Sequence, residues 1–568
     1  MKAKKIILFA IIIIANLYCY YPAFFDSCRG SDHQIYLKDV AGFETLGELL
    51  SHSYSYTRSL STGDKILFRP LTYVVMAFER WLFGYDFFWW QITGFVLHLL
   101  AQWMMFKILN IFTSSRFSFL VILCSSLLFF PQEMVGRHHY SGYLLAQIFA
   151  LCAVYHFFKY RLDPSQNKKR FWGFLACLTL ASFGYESALI LNGIFMIFLL
   201  LSGPPMFPRV PVRHKVAMVL PMGVYASVSV ADFFIRVKDF AFSQGVTGLA
   251  PLESFKAGVF QANLVNLLKI GAQGLLFPAL TKIKFVGDQY HYDSFSWEAN
   301  NVFEVLNIGL ALGGIVFLGL FLFFSLKNKT ALRSYWDSKA FVMGLMLILY
   351  VTAYVGLLCP IRLQTMPGYL QTAPHHFYVI YVFSIVALYY LLLSALRFIE
   401  QSLPGLRRTL VVFFIVFALL QGYHLRKLNQ DTRALWEPQR IYLKRMERFV
   451  KEHKHEPDFS FAVFKSELTY LYLMPVSAGP DEPTTLVDMF FPKYVKPQGP
   501  KYFVVYTKEQ GVRSFMSGSE AKQYVQARID REGEWESDFY ISGVKIDLKQ
   551  MAIMRSLQGR LQQKGMKP

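Results

Sequence analysis

Apolar runs long enough to cross a bilayer recur through the first three quarters of the chain, separated by polar segments rich in Lys and Arg. About 20 helical residues span the ~30 Å hydrocarbon core, so the pattern predicts an all-α polytopic membrane protein. The first run, 6–21, follows Met1-Lys2-Ala3-Lys4-Lys5 and has the charge profile of a signal peptide. Tyr20-Tyr21-Pro22 and Phe24-Phe25 come next, with no small-residue cleavage site. A retained transmembrane helix with its basic end cytoplasmic is therefore expected. That orientation puts 26–71, a long polar stretch rich in Ser, His, Tyr and charge, on the outer face.

Segment 71–83 is apolar but short and carries Glu79-Arg80, which predicts an amphipathic helix along the interface with Trp81 at headgroup level. Runs 87–112, 117–130 and 140–158 then cross in, out and in. The next loop holds Lys159, Arg161, Lys168, Lys169 and Arg170, a cytoplasmic signature. Runs 171–183 and 188–201 form a hairpin with Tyr185-Glu186 at its outer tip. Arg209, Arg213, His214 and Lys215 are again inside, and 216–234 goes out. The run 259–280 contains Gln261, Asn263, Asn266, Lys269 and Gln273. A crossing there would put the basic loop 327–333 outside, so 259–280 is read as re-entrant or interfacial. Runs 305–326, 341–358, 378–396 and 410–420 complete about 11 transmembrane helices, N-terminus inside and C-terminus outside.

After Tyr423 the pattern turns mixed and charged. Segment 426–453 reads as a polar helix, 459–464 and 502–506 as strands, and 521–531 and 548–563 as helices. The chain thus divides into a transmembrane domain, 1–423, and a small C-terminal extramembrane α/β domain, 424–568, in which no catalytic signature stands out.

Composition changes this picture in two places. Only 17% of residues are charged and mean hydropathy is +0.33, where a soluble domain has roughly 25% charged residues. A net charge of +20 would suit nucleic acid in a soluble protein. In a polytopic one it belongs to cytoplasmic loops and anionic headgroups, so membrane lipids and no nucleic acid are the expected partners. Cys19, Cys124, Cys152 and Cys177 fall in apolar spans as small packing residues, and no CxxC or Cys/His spacing suggests zinc. Cys28 and Cys359 share the outer side in this topology, which leaves a disulfide between them open.

Four patches stand out, in order. The first is Ser31-Asp32-His33-Gln34-Ile35-Tyr36 in the outer loop. Next come Phe68-Arg69-Pro70-Leu71-Thr72 and Leu82-Phe83-Gly84, with His98 on the following run. The third is Phe129-Phe130-Pro131-Gln132-Glu133-Met134-Val135, followed by His138-His139-Tyr140-Ser141, and the fourth is Gly184-Tyr185-Glu186-Ser187-Ala188. Together they resemble the GT-C superfamily of membrane glycosyltransferases, in particular its protein O-mannosyltransferase-like members. The resemblance covers roughly residues 1–205 and beyond that extends only to general architecture. Many relatives carry two adjacent acids in the first loop, whereas here Asp32 is followed by His33. Contacts made by the second acid are therefore not carried over.

The resemblance implies transfer of a sugar from a polyprenyl-phosphate donor to a glycan, lipid or protein acceptor on the outer face of a bacterial inner or plasma membrane. Asp32 is the expected base for the acceptor hydroxyl; its ordinary reading is a solvated loop carboxylate, with Asp26, Asp39 and Asp64 as rivals. Arg69 can bind phosphate oxygens bidentately, or snorkel to headgroups. His33, His138, His139, His375 and His376 are further candidates for the substrate side. Glu133 and Glu186, at outer span ends, suit sugar hydroxyls or loop positioning. Histidine pairs also bind divalent metal, but no third ligand has helpful spacing, so no cofactor is expected. Within a span, His98 reads as a hydrogen-bonded core residue.

Two other functions compete. A polysaccharide polymerase or ligase also uses outer-face Arg and His, but its essential loop lies late in the chain. A transporter or flippase predicts internal repeats and broken helices around a midplane site. No such repeat is evident, and most charges lie at span ends.

Overall fold

A computed structural model of the protein describes residues 2–26, 36–37, 40–59, 69–128, 130–136, 140–162, 168–184, 187–200, 210–237, 281–286, 289–295, 406–463, 490–491, 493–496, 499–507, 511–532, 539–541 and 544–546. The chain begins with α1, Lys2–Tyr20, extended by a 3-10 turn, Tyr21–Phe25. Helix α2 is Leu46–Ser59, and Thr45 and Glu48 box its start: Thr45 N donates to Glu48 Oε2 at 3.0 Å and Glu48 N to Thr45 Oγ1 at 3.3 Å. Then follow α3 (Pro70–Phe83), α4 (Phe87–Phe112), α5 (Ser115–Ser126), α6 (Phe130–Gly136) and α7 (Ser141–Leu162). The bundle continues through α8 (Lys168–Gly184), α9 (Ser187–Leu200), α10 (Val212–Ala217) and α11 (Leu220–Val237).

Among the described residues three stretches are long and apolar enough to cross a membrane: Lys5–Phe25, Phe87–Phe112 and Ser141–Leu162. The last, 22 residues, spans about 33 Å. The expected runs 305–326, 341–358 and 378–396, the segment 259–280 and the helix 548–563 lie outside the described residues. One large apolar core joins α1, α4, α5, α7 and α8, from Phe9 and Ile12 through Leu109 and Val121 to Phe157 and Leu178. Buried aromatic pairs knit it, such as Phe157 and Phe195 with centroids 4.5 Å apart.

Helix α3 carries apolar side chains on both of its faces. Its outward face is apolar, with Val74, Phe78, Trp81 and Leu82 exposed, while Thr72, Tyr73, Met76, Ala77 and Glu79 face the protein. Gly84, at φ 56°, ends the helix in a conformation that favours glycine.

The hairpin β1 (Thr281–Val286) and β2 (Gln289–Phe295) is antiparallel. Helix α12, Leu406–His453, runs 48 residues without a break through position 423, where the composition changes. Strand β3 (Phe461–Val463) pairs in parallel with β4 (Tyr502–Thr507), and β4 antiparallel with β5 (Gly511–Phe515). Helix α13 (Gly518–Glu532) packs on this sheet, and β6 (Phe539–Ile541) and β7 (Val544–Ile546) make a separate hairpin.

A second apolar core lies at one end of the bundle. It combines Tyr36, Leu37, Val40 and Leu49 from the first loop with Tyr73 and Met76 of α3, Phe87 and Trp90 of α4, Tyr442 and Met446 of α12, and Phe461, Phe490 and Val504 around the sheet. The first loop and the C-terminal sheet therefore lie on the same side of the bundle.

Candidate functional site

The site builds up from the first turn of α3. Pro70 occupies a position where its missing N–H costs nothing, so Arg69 stands directly before the helix. Positions 69, 72, 76 and 79 fall on one helical face. Arg69 is 5% exposed. Its Nη1 donates to Tyr143 Oη at 2.5 Å, and the guanidinium lies 5.1 Å from the centre of the Tyr143 ring. Thr72 Oγ1 donates to the Gly184 carbonyl at 3.0 Å.

Two glycines let the backbones come this close. A Cβ on Gly142 would sit 2.3 Å from Thr72 Cα, and one on Gly184 would sit 2.4 Å from Ala146 Cβ. On the other side, Gln91 Nε2 donates to the Gly136 carbonyl at 2.8 Å and Gly94 faces the Val135 carbonyl, which holds α6 against α4. The start of α3, the end of α6, the start of α7 and the end of α8 thus converge at one end of the bundle. These are the described flanks of three of the four sequence patches.

Of the residues proposed for catalysis or substrate binding, Arg69 is the one whose side chain is described. Glu133 lies on α6, with its side chain outside the described residues. Asp32, His33, His138, His139, Glu186, His375 and His376 lie outside them as well, as do Asp39, Asp64, Cys28 and Cys359. Asp26 is fully buried where the first loop begins, within electrostatic reach of Arg433. There α12 grips the end of the 3-10 turn. Arg440 Nε donates to the Phe25 carbonyl at 3.0 Å, and Arg433 lies 4.3 Å over the Phe25 ring while paired with Glu437 at 2.7 Å. His98 is buried on α4 with its ring 5.6 Å from that of Tyr20.

Sequence reasoning passed over two groups. Tyr143, which orients Arg69, is 74 residues away from it and carries no local signal. Glu79, with its neighbour Arg80, looks like a surface charge, yet it is buried at 4% exposure against the Ser141 hydroxyl that opens α7. Burial pushes its carboxyl well above the usual range, and the Ser141 hydroxyl opposes this only in part. No group of three or more His, Cys, Asp or Glu among the described residues is placed to hold a metal ion.

No family model matches the chain, and no curated protein does. Among solved structures it is similar to the archaeal oligosaccharyltransferase AglB from Archaeoglobus fulgidus, solved with an inhibitory peptide and a dolichol-phosphate. The match covers 91% of this chain and 75% of that one at 12% identity and a TM-score of 0.35.

Proposed function

We propose that the protein is a membrane glycosyltransferase of GT-C type that uses a polyprenyl-phosphate sugar at the bundle end marked by Arg69. The observation that carries this reading is the convergence at Arg69: the described flanks of three separately recognised patches come together near a buried arginine held by Tyr143. In this reading Asp32 takes the proton of an acceptor hydroxyl, whose oxygen attacks the anomeric carbon. The bond from that carbon to the phosphate oxygen breaks, and its electron pair leaves with the polyprenyl phosphate. Arg69 stabilises the charge that develops there, a task suited to a guanidinium in a water-poor site. Tyr143 supplies a fixed orientation, so little rotamer freedom is lost on binding. The first loop belongs on the outer face with the C-terminal domain, 424–568, and the N-terminus inside.

The test is glycan and glycolipid profiling of a deletion strain complemented with wild type, Asp32→Asn or Arg69→Ala. One glycan should lose a sugar, and wild type alone should restore it. Unchanged glycans in the deletion strain would sink the enzyme reading, and full rescue by Asp32→Asn would remove Asp32 as the base.

A further inference from the structure

The bundle end opposite Arg69 gathers cations from three helices. Helix α7 closes on Lys159 and Arg161, α8 opens on Lys168, Lys169 and Arg170, and α10 carries Arg213, His214 and Lys215. Lys168, Lys169, Arg170 and Arg213 are exposed. None of these four has a carboxylate partner among the described residues. Three positive charges in the first turn of α8 also oppose its helix dipole.

The fold nevertheless pins these like charges together. His214, 5% exposed, shares a 2.5 Å hydrogen bond with Tyr160 Oη through Nδ1 and stacks on Phe171 at 4.3 Å. This fastens α10 to the base of α7 and α8. Arg213 precedes His214 in the chain and Lys168 lies three residues before Phe171, so the His214–Phe171 stack brings the ends of α10 and α8 that carry these cations together. Like charges held side by side repel one another, and an anion seated among them relieves that repulsion.

The apolar surroundings say what kind of anion. Val212, Val216 and Val219, at helical spacing, are each more than half exposed, as are Leu220 and Trp172. A cationic helix with an exposed apolar flank lies in the interface of an anionic leaflet. We infer that α10 and the facing ends of α7 and α8 form a headgroup site for an anionic phospholipid. Lys168, Arg213 and Lys215 hold the phosphate, and acyl chains lie against Val216, Val219 and Trp172. Inorganic phosphate would satisfy the cations and leave the valines uncovered, so the lipid is the better occupant. The site is separate from Arg69 and holds whether or not the protein transfers sugars.

The test uses the full chain purified in detergent, with thermal unfolding and native mass spectrometry in phosphatidylglycerol, phosphatidylcholine or inorganic phosphate. Phosphatidylglycerol should raise the melting temperature saturably and remain bound, and the neutral lipid should not. Lys168→Gln with Arg213→Gln should weaken that binding about tenfold or more, and Lys168→Arg with Arg213→Lys should keep it. Val216→Ser with Val219→Ser, also at exposed positions, should weaken lipid binding without changing any response to phosphate. The inference is overturned if phosphatidylcholine acts equally, if phosphate reproduces the whole effect, or if either substituted pair binds phosphatidylglycerol like the wild type.

Discussion

The Thr72 hydroxyl donates to the Gly184 carbonyl across 3.0 Å and joins residues 112 apart in sequence. Gly184 is the last residue of α8, so this bond fixes the end of that helix against the start of α3. Thr72→Val keeps the shape of the side chain and strands a buried carbonyl, at a cost of about 1–3 kcal/mol. A lower melting temperature in detergent and weaker complementation are expected. Thr72→Ser, which keeps the hydroxyl, should stay within about 1 kcal/mol of wild type.

Gly142→Ala should be costly although alanine favours helices. The new methyl would meet Thr72 Cα at 2.3 Å, and backbone cannot turn aside as a side chain can. Overpacking of about 1–3 kcal/mol exceeds the ~1 kcal/mol of helix propensity gained. Gly193 in α9 is the control, since nothing lies within 4 Å of its would-be Cβ. Gly193→Ala should therefore stabilise by up to about 1 kcal/mol, and thermal unfolding of the two variants side by side decides the matter.

Glu79 predicts a pH-dependent stability with a definite sign. Its folded carboxyl titrates well above the usual range because it is buried. Below the ordinary carboxyl value, about 4.3, both folded and unfolded states are protonated and nothing is lost. As pH rises past that value the unfolded chain ionises first, so stability falls until the folded carboxyl ionises too. Glu79→Gln removes this slope. The variant should match wild type near pH 4 and exceed it at pH 7–8, read as melting temperature in the same detergent. Parallel curves would show that Glu79 is not held protonated.

Arg69→Lys separates charge from geometry. Lysine keeps the positive charge but loses the planar fork that Tyr143 orients at 2.5 Å. A loss of complementation close to that of Arg69→Ala is expected, with Tyr143→Phe milder, since it removes one hydrogen bond worth about 1 kcal/mol. Full activity of the Lys variant would leave Arg69 as a simple headgroup anchor.

Part of this was legible in the sequence because the signals are local. Arg69-Pro70 before an apolar stretch marks the start of α3. The aromatic and β-branched run Tyr502–Thr507 reads as a strand. Glu79 stayed hidden because it and Arg80, two adjacent charges, look like a solvent face, whereas Glu79 is turned into the protein beside Met76 and Ala77 of the same helix. Tyr143 and Thr72 acquire their roles from partners 74 and 112 residues away, which no periodicity encodes. The second core was equally hidden: Leu49 and Phe490 lie in short apolar clusters some 440 residues apart, and nothing in either says that they share a core.

That second core also sets a timetable. Leu49 emerges early in synthesis, and Leu443 and Val504, with which it shares a core, follow roughly 400 residues later. At about 5–20 residues per second the early loop waits some 20–80 s before its covering partners exist. Through that interval Tyr36, Leu37 and Leu49 stand uncovered by the C-terminal half of the core. The loop that bears the proposed base therefore gains these covering partners only after some 400 further residues have been made.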